Sequence, residues 1–266
     1  MAANVVIISP LALAGAATRP MSQGGMPLNG NRPTTELRIL HTSDNHIDRL
    51  STCAALGAVV DKANNLKVDL VLLAGDFIDN SRVPDEVVWE TIFQLSRLKM
   101  PTVLLPGNHD QLDEISVYHR QSFQALPANL WLIRRPEGET LLFPELGVSV
   151  WGRPTYDHHM DFRPLQGPPP RSGPWWHIGI AHGFYVAPGE PVERSSPILA
   201  YEIEATGYDY IALGHSDIFT DLSQSTVRAA YSGAPILTSD GRKLGSVALV
   251  HLHPEQGVDI QKVPLV

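Results

Sequence analysis

The chain has 266 residues, of which 43% are hydrophobic and 18% are charged, as in an ordinary soluble globular protein with one α/β domain or two small ones. The formal net charge of −8 provides no overall positive field for a polyanion, which disfavours tight, non-specific nucleic-acid binding; a metal-lined cleft can still attract phosphate locally. The single cysteine, Cys53, excludes an intrachain disulfide.

Residues 1–36 differ in composition from the rest, and we predict a flexible leader before a domain at residues 37–266. The stretch NVVIISPLALAGAA is apolar but too short to span a bilayer, and Pro10 interrupts it. No Lys or Arg precedes it, so a secretory signal has little support. Gly, Pro, Asn and Ser are frequent from Arg19 to Thr35, as in a flexible tail. We therefore expect a cytoplasmic protein with no membrane partner.

The first half of the domain alternates between predicted strands and helices. The predicted strands are ELRILHT, VDLVLLAGD and PTVLLPGNHD. Two stretches with apolar residues at helical spacing lie between them, STCAALGAVVDKANNL and PDEVVWETIFQLSRLK. This order predicts parallel βαβ units, in which ligand-binding groups collect at the carboxyl ends of the strands.

The second half is predicted to be rich in strands. Four short runs are typical of β structure: NLWLI, VSVWGR, HIGIAHG and YDYIALGH. We predict one helix over about residues 192–206 and irregular structure over residues 161–174, which are rich in Pro and Gly. The remaining runs predict three antiparallel strands, in STVRAAYSGAPIL, GSVALVHLH and GVDIQKVPLV.

Polar side chains follow five of these predicted strands, at the point where each strand ends. They are Asp44 and His46, Asp76 and Asp79, Asn108 and His109, His182, and His215 and Asp217. Parallel topology would bring these side chains to one edge of the sheet, where the carboxylates would repel one another without a cation. Carboxylate, imidazole and amide oxygen together suit Mn²⁺, Fe²⁺ or Zn²⁺, whereas a structural zinc site is disfavoured because no cysteine is nearby.

These motifs resemble, in order, the five motifs of calcineurin-like metallophosphoesterases. They are Asp-x-His at 44–46, Gly-Asp-x-x-Asp at 75–79, Gly-Asn-His-Asp at 107–110, His182, and Gly-His-x-Asp at 214–217. The resemblance runs from about residue 37 to residue 252. It implies an α/β fold, a four-layer α/β/β/α sandwich of two mixed sheets flanked by helices, and a metal-dependent phosphoric ester hydrolase.

The resemblance also implies a role for each motif residue. A first metal would be held by Asp44, His46, Asp76 and Asp217, and a second by Asp76, Asn108, His182 and His215. His109 would face the scissile phosphate and assist the leaving oxygen, with its ring oriented by Asp79. The two divalent cations would acidify a water molecule and neutralise phosphate charge. We expect Mn²⁺, with Fe, Zn and Mg as alternatives.

The fifth motif departs from the family, which usually has Gly-His-x-His where this chain has Gly-His-Ser-Asp. As a ligand, Asp217 would add a third carboxylate and a preference for Mn²⁺ or Mg²⁺ over Zn²⁺. The alternative is that its shorter reach leaves the first metal weakly held.

Within the family, the sequence most resembles the SbcD-like DNA-repair exonuclease branch. Asn80 and Ser81 after Asp79, and Asp110 after His109, disfavour the protein Ser/Thr phosphatases. The leading hypothesis is a binuclear metal-dependent phosphodiesterase that acts on nucleic-acid ends, DNA ends among them, or on nucleotide-type diesters. No capping domain or partner-binding helices follow the motifs, so an ATPase partner is not supported. The alternatives are a small-molecule phosphodiesterase or phosphomonoesterase, such as a cyclic-nucleotide hydrolase, and a non-catalytic scaffold.

Overall fold

The structure, a computed structural model, describes residues 6–8 and 33–265. Most of the predicted leader lies outside these residues, and its boundary at residue 36 stays a prediction. Its residues Val6–Ile8 form strand β1, which pairs in antiparallel fashion with β6 (Glu139–Phe143).

One sheet has six strands and carries the first half of the domain. In spatial order the strands are β15 (Gly257–Pro264), β14 (Ser246–His253), β2 (Leu37–Thr42), β3 (Leu70–Ala74), β4 (Thr102–Leu105) and β5 (Leu130–Leu132). Strands β2, β3 and β4 are parallel, as predicted, and β5 continues the parallel order. Strand β14 runs antiparallel to both of its neighbours. Helices α1 (Leu50–Leu66) and α2 (Asp85–Ser96) form the crossovers, which confirms both predicted helices.

The second sheet has seven strands. In spatial order they are β1, β6, β7 (Val148–Gly152), β8 (Trp176–His182), β11 (Tyr210–Gly214), β13 (Arg228–Tyr231) and β12 (Thr220–Asp221). The four strands from β7 to β13 in this order are parallel. After β8 the chain forms a separate two-stranded parallel sheet from β9 (Phe184–Val186) and β10 (Pro197–Leu199), and then the short helix α3 (Ala200–Thr206).

Two predictions for the second half were wrong. The predicted helix over 192–206 begins only at Ala200, because Pro197–Leu199 pairs with β9 and the residue before a proline avoids helical geometry. The last three strands do not form one antiparallel group, because β13 pairs in parallel with β11 in the seven-stranded sheet and only β14 and β15 pair with each other. The irregular structure predicted for residues 161–174 is confirmed.

Three layers of apolar side chains hold four layers of structure together. Leu56 of α1 and Val88 of α2 pack on the outer face of the six-stranded sheet. Ile39 and Ile178 belong to the layer between the two sheets, and Ile203 of α3 to the layer outside the seven-stranded sheet. The predicted α/β/β/α sandwich of two mixed sheets is therefore confirmed. The described helices include none with the length and apolar character needed to cross a membrane.

His41 is buried in β2, between the two sheets, with its Nδ1 atom 2.8 Å from the hydroxyl oxygen of Tyr210. Burial lowers the pKa of the His41 imidazole from its ordinary 6.5 to about 3. The ring therefore stays neutral in the folded protein at pH values where it is protonated in the unfolded chain.

We expect the free energy of unfolding to fall as the pH drops from about 6.5 towards 3, because only the unfolded chain takes up the His41 proton in this window. Between about pH 7.5 and about pH 5, this histidine should account for a loss of about 2 kcal/mol. Urea unfolding of the protein and of His41→Gln at both pH values measures this loss of unfolding free energy. An equal loss in the two proteins would contradict the assignment to His41.

Candidate active site

The candidate ligands lie on loops that leave the carboxyl ends of neighbouring strands. Asp44 and His46 follow β2, Asp76 follows β3, and His215 follows β11, while His182 is the last residue of β8. These strands belong to both sheets, whose strand ends meet at this edge. The structure therefore brings together side chains that are up to 171 positions apart, as between Asp44 and His215.

The loops that carry these side chains have unusual backbone geometry. Positive φ values occur at Asp44 (54°), His46 (46°), Asp76 (48°) and His215 (109°). Residues other than glycine rarely adopt a positive φ, and those that do cluster at functional sites. Main-chain hydrogen bonds hold the first two in place, from Asp44 N to Gly75 O at 3.1 Å and from His46 N to Asp76 O at 3.0 Å.

Glycines in three of the motifs allow the loops to approach one another. A Cβ atom at Gly75 would overlap the His182 ring, and one at Gly107 would overlap the Asp76 carboxylate. A Cβ atom at Gly214 would overlap the main-chain oxygen of Ala74. These three positions thus exclude any side chain, because the space is occupied by candidate ligands or by the strand that carries them.

Asp76 lies at the centre of the cluster. Its Oδ2 atom is 3.2 Å from His182 Nε2 and 3.9 Å from His46 Nε2, and its Oδ1 atom accepts a hydrogen bond from His109 N at 2.8 Å. Ligand atoms of Asp76 lie within 4.8 Å of those of two sets of neighbours, one with Asp44 and His46 and one with His182 and His215. One carboxylate is therefore shared by two candidate metal-binding groups.

Asn108 completes the second group. Its Oδ1 atom lies 3.0 Å from His182 Nε2 and 3.2 Å from His215 Nδ1. The amide oxygen therefore points at the same space as the two imidazoles, and it can serve as a neutral oxygen ligand beside them.

Burial and neighbouring charges shift the pKa values of four side chains in the cluster. Burial raises the pKa of the Asp44 carboxyl, His182 lowers it and the carboxylate of Asp76 raises it. Burial acts to raise the pKa of Asp76 as well, but the charge of His182 holds it below its usual range. Burial acts to lower the pKa of His182, yet the two carboxylates raise it to about 10. Burial and His182 lower the pKa of His215 to about 4.

Two buried carboxyl groups, those of Asp44 and Asp76, thus lie beside one imidazole, that of His182, which carries a proton. Divalent cations fit this donor set, because they would take the place of that proton and satisfy the carboxylate oxygens of Asp44 and Asp76 as well. The residues present therefore suit the divalent metals that their motifs imply.

A third group consists of His46, Asp79 and His109. The Nδ1 atom of His109 lies 3.0 Å from the main-chain oxygen of Asp79, and because a carbonyl oxygen can only accept, Nδ1 carries the proton. The Asp79 carboxylate is closer to His46 Nδ1, at 3.2 Å, than to His109 Nδ1, at 3.6 Å. Asp79 therefore contacts both rings, and His109 is held mainly through the main chain.

Asp217 is placed differently from the other predicted ligands. Its side chain is exposed, and within the described ranges 6–8 and 33–265 it belongs to none of the three groups. Its main-chain oxygen accepts a hydrogen bond from Ala234 N at 3.1 Å. Ligation by Asp217 stays a prediction.

Comparison with known proteins identifies the family. The model of the calcineurin-like phosphoesterases matches residues 37–218. The chain belongs to this family. This phosphoesterase is accordingly a hydrolase of phosphate esters. Its similarity to the relatives described next supports the predicted SbcD-like branch.

One relative is the SbcD component of the SbcCD nuclease of Bacillus subtilis (strain 168), which is 26% identical over an alignment that covers 86% of this chain and 70% of the relative. Another is the DNA double-strand break repair protein Mre11 of Methanosarcina acetivorans, 36% identical over 135 residues that cover 46% of this chain and 22% of the relative. The crystal structure of TT1561 from Thermus thermophilus matches with a TM-score of 0.58 at 14% identity. It covers 87% of this chain and 100% of that protein, and the likeness concerns the fold alone.

Asp110 of the phosphoesterase has a role that the sequence analysis missed. Its buried carboxylate accepts hydrogen bonds from Phe77 N at 2.9 Å, Ile78 N at 3.0 Å and Gly107 N at 2.7 Å, and from the hydroxyl of Tyr118. Burial raises the pKa of this carboxyl and so opposes the charge that these four donors favour. Asp110 therefore ties the loop after β3 to the loop after β4. Its position next to His109 was the only signal in the sequence.

We expect Asp110→Ala to lower the free energy of unfolding by more than about 3 kcal/mol, because three main-chain N–H groups and one hydroxyl lose a buried acceptor. Tyr118→Phe removes only one of the four donors and should cost about 1 kcal/mol. Urea unfolding of both variants without metal measures the difference. Equal effects would show that the carboxylate does not join the two loops.

A second feature that the sequence left open is the exposed rim of the site beside His215. His158 Nε2 lies 2.6 Å from Ser195 Oγ, so residues from two loops meet there. The guanidinium of Arg194 stacks 4.6 Å above the ring of Phe184, whose centroid is 6.3 Å from that of His215. A positive charge is thus held near the second ligand group, where it can attract an anionic substrate.

Proposed function

We propose that the phosphoesterase is a phosphodiesterase that holds two divalent cations and acts on nucleic-acid ends or nucleotide-type diesters. The shared carboxylate of Asp76, whose oxygens reach both ligand groups, is the observation that supports a binuclear centre. The first cation is assigned to Asp44, His46, Asp76 and Asp217, and the second to Asp76, Asn108, His182 and His215.

Each residue has a task that follows from its contacts. Bound cations would supply the positive charge that acidifies water and neutralises a phosphate. The main-chain oxygen of Asp79 accepts from His109 Nδ1, which leaves Nε2 as the atom that exchanges a proton with the leaving oxygen. The carboxylate of Asp79 lies 3.2 Å from His46 Nδ1 and so leaves His46 Nε2 as the ligand atom.

The substrate class is inferred from the relatives and from charge. The two relatives are named as part of a nuclease and as a DNA double-strand break repair protein, and the second matches over only 22% of its length. The net charge of −8 disfavours a long duplex footprint. A strand end or a short nucleotide diester therefore fits better than the middle of a duplex. We favour Mn²⁺, because the first group is rich in carboxylate.

A panel of substrates tests the proposal. The full chain, loaded with Mn²⁺, is assayed with bis(p-nitrophenyl) phosphate, p-nitrophenyl phosphate, cyclic AMP, single-stranded DNA and double-stranded DNA. We expect metal-dependent hydrolysis of the diesters, with DNA ends among the substrates. A strong preference for cyclic AMP or for the monoester would point to a small-molecule enzyme. Failure to bind a divalent ion or to hydrolyse any ester would contradict the proposed centre.

The assignment of Asp217 is tested in the same assay. Asp217→Ala should raise the Mn²⁺ concentration needed for half-maximal activity, because one carboxylate ligand of the first cation is lost. Asp259→Ala removes an exposed carboxylate from strand β15 and serves as the control. An unchanged Mn²⁺ requirement in Asp217→Ala would remove Asp217 from the ligand set.

A further inference from the structure

A pocket of about 310 Å³ opens next to His109. Its wall comes from two loops, residues 80–82 after β3 and residues 108–117 after β4. The volume lies at the lower end of the range of small-molecule sites, so the pocket admits one small group and no folded chain. His109, the proposed proton donor to the leaving oxygen, is itself one of the lining residues, which places the pocket beside the proposed reaction.

The polar groups of the pocket wall are fixed by hydrogen bonds. Gln111 Nε2 donates to Asp113 Oδ2 at 2.7 Å, and Ile115 N donates to Asp113 Oδ1 at 3.0 Å. Asn80 Oδ1 accepts from Arg82 N at 2.9 Å. Among the described residues, Gln111 Oε1 is buried with no hydrogen-bond partner. The wall therefore holds preorganised amide and carboxylate groups, and the Gln111 amide keeps an acceptor that has no partner among the described residues.

The charges of the wall select against a second phosphate. Arg82 is positive, but Asp113 is negative and the buried Asp110 also lines the pocket. A leaving group such as pyrophosphate would contact the partly exposed carboxylate of Asp113 and lie close to the buried charge of Asp110. An uncharged group that donates hydrogen bonds fits them better.

The remaining chemistry of the wall matches a nucleobase. Amide and carboxylate side chains are those that pair with the edges of bases, and an unstacked base also needs an apolar surface. Ile115, which is 75% exposed, supplies apolar surface in the same pocket, above the buried side chain of Val117. A base that is swung out of its stack can therefore pack on one part of the wall and bond to the other.

We propose that this pocket binds the base of the leaving nucleoside during diester hydrolysis. The inference rests on the proposed function and narrows it to diesters whose leaving group is a nucleoside. In the reaction, the oxygen of water bonds to phosphorus while the bond from phosphorus to the nucleoside oxygen breaks. That oxygen takes a proton from His109 Nε2, the attacking water releases a proton to solvent, and solvent returns a proton to Nε2. The products are a phosphomonoester and a free nucleoside hydroxyl.

Binding of nucleosides tests the pocket without catalysis. The full chain in EDTA is titrated by calorimetry with each of the four deoxynucleosides, and we expect saturable binding of at least one of them with a Kd of about 0.1–1 mM. Gln111→Leu and Ile115→Ala should each weaken this binding by at least about fivefold, since they remove an amide and an apolar contact. Gln261→Leu is the matched control, because Gln261 Nε2 also donates to a nearby aspartate, Asp259, at 2.8 Å, but on exposed strand β15.

Steady-state kinetics measure the contribution of the pocket independently of the calorimetric titration. The ratio of kcat/KM for a dinucleoside monophosphate to that for bis(p-nitrophenyl) phosphate should fall by at least about fivefold in Gln111→Leu and stay constant in Gln261→Leu. Absent nucleoside binding, or binding that neither pocket variant weakens, would overturn the inference even if diesters are hydrolysed. Conversely, nucleoside binding that depends on Gln111 in a protein that hydrolyses no ester would overturn the proposed function and keep the pocket as a base-binding site.

Discussion

His109→Ala is expected to lower kcat by about 10²–10⁴-fold while the protein keeps its bound metal. The reason is geometric, because the ring is fixed by a hydrogen bond from its Nδ1 atom to the main-chain oxygen of Asp79, and Nε2 remains to serve the leaving oxygen. The loss should be largest for a nucleoside leaving group and smaller for p-nitrophenolate, which needs little protonation. Steady-state kinetics on both substrates, with metal analysis of each protein, measures this difference.

His253→Ala is the control for this experiment, because His253 ends strand β14 at the opposite edge of the six-stranded sheet. A loss of metal in His109→Ala equal to its loss of activity would show that His109 acts as a ligand. A decrease in kcat that is the same for both leaving groups would argue against proton donation by His109.

Asp76→Asn is expected to lower the bound metal from two ions per chain to at most one and to abolish measurable hydrolysis. Asp76 is shared by both ligand groups, so one substitution weakens both sites. Asparagine keeps an oxygen that can accept the hydrogen bond from His109 N, so the loop geometry should survive while the bridging charge is lost. Metal content after dialysis and calorimetric titration with Mn²⁺ provide the measurements.

Asp44→Asn provides the comparison, because Asp44 belongs to only one of the two groups. It should lose the first ion and retain the second. Two tightly bound ions in Asp76→Asn would contradict a bridging role. Unfolding of both variants without metal shows whether any loss arises from the fold instead.

The sequence was sufficient to predict the general architecture and the meeting of the motif residues other than Asp217. Apolar runs such as LVLLA predict strands that are buried on both faces, and parallel strands place their final residues at one edge. It was not sufficient to assign β13 to a sheet, because RAAY has the same apolar character whichever neighbour it pairs with. Strand β10 was missed for a related reason, since its pairing with β9 depends on a contact outside its own sequence.

Within the candidate site, the sequence indicated the candidate ligands more readily than the residues that support them. Asp44, His46 and Asp76 stand in motifs, whereas the task of Asp110 depends on which N–H groups the neighbouring loop presents to it. Asp217 shows the converse, because its motif position predicts ligation while its side chain is exposed. The role of Asp217 depends on the conformation of the loop after β11, which a sequence motif does not determine.

The left-handed backbone at Asp44, His46, Asp76 and His215 has a consequence for the evolution and engineering of this protein. Each of these positions departs from the preferred geometry at a cost of about 1 kcal/mol or more. Glycine at any one of them would relieve this cost, and selection for stability alone would favour it. Because candidate ligands occupy such costly geometry, stability and the proposed activity are opposed at this edge. A thermostabilised variant should therefore be sought by changing residues elsewhere, since a gain in stability at these four positions would remove a candidate ligand.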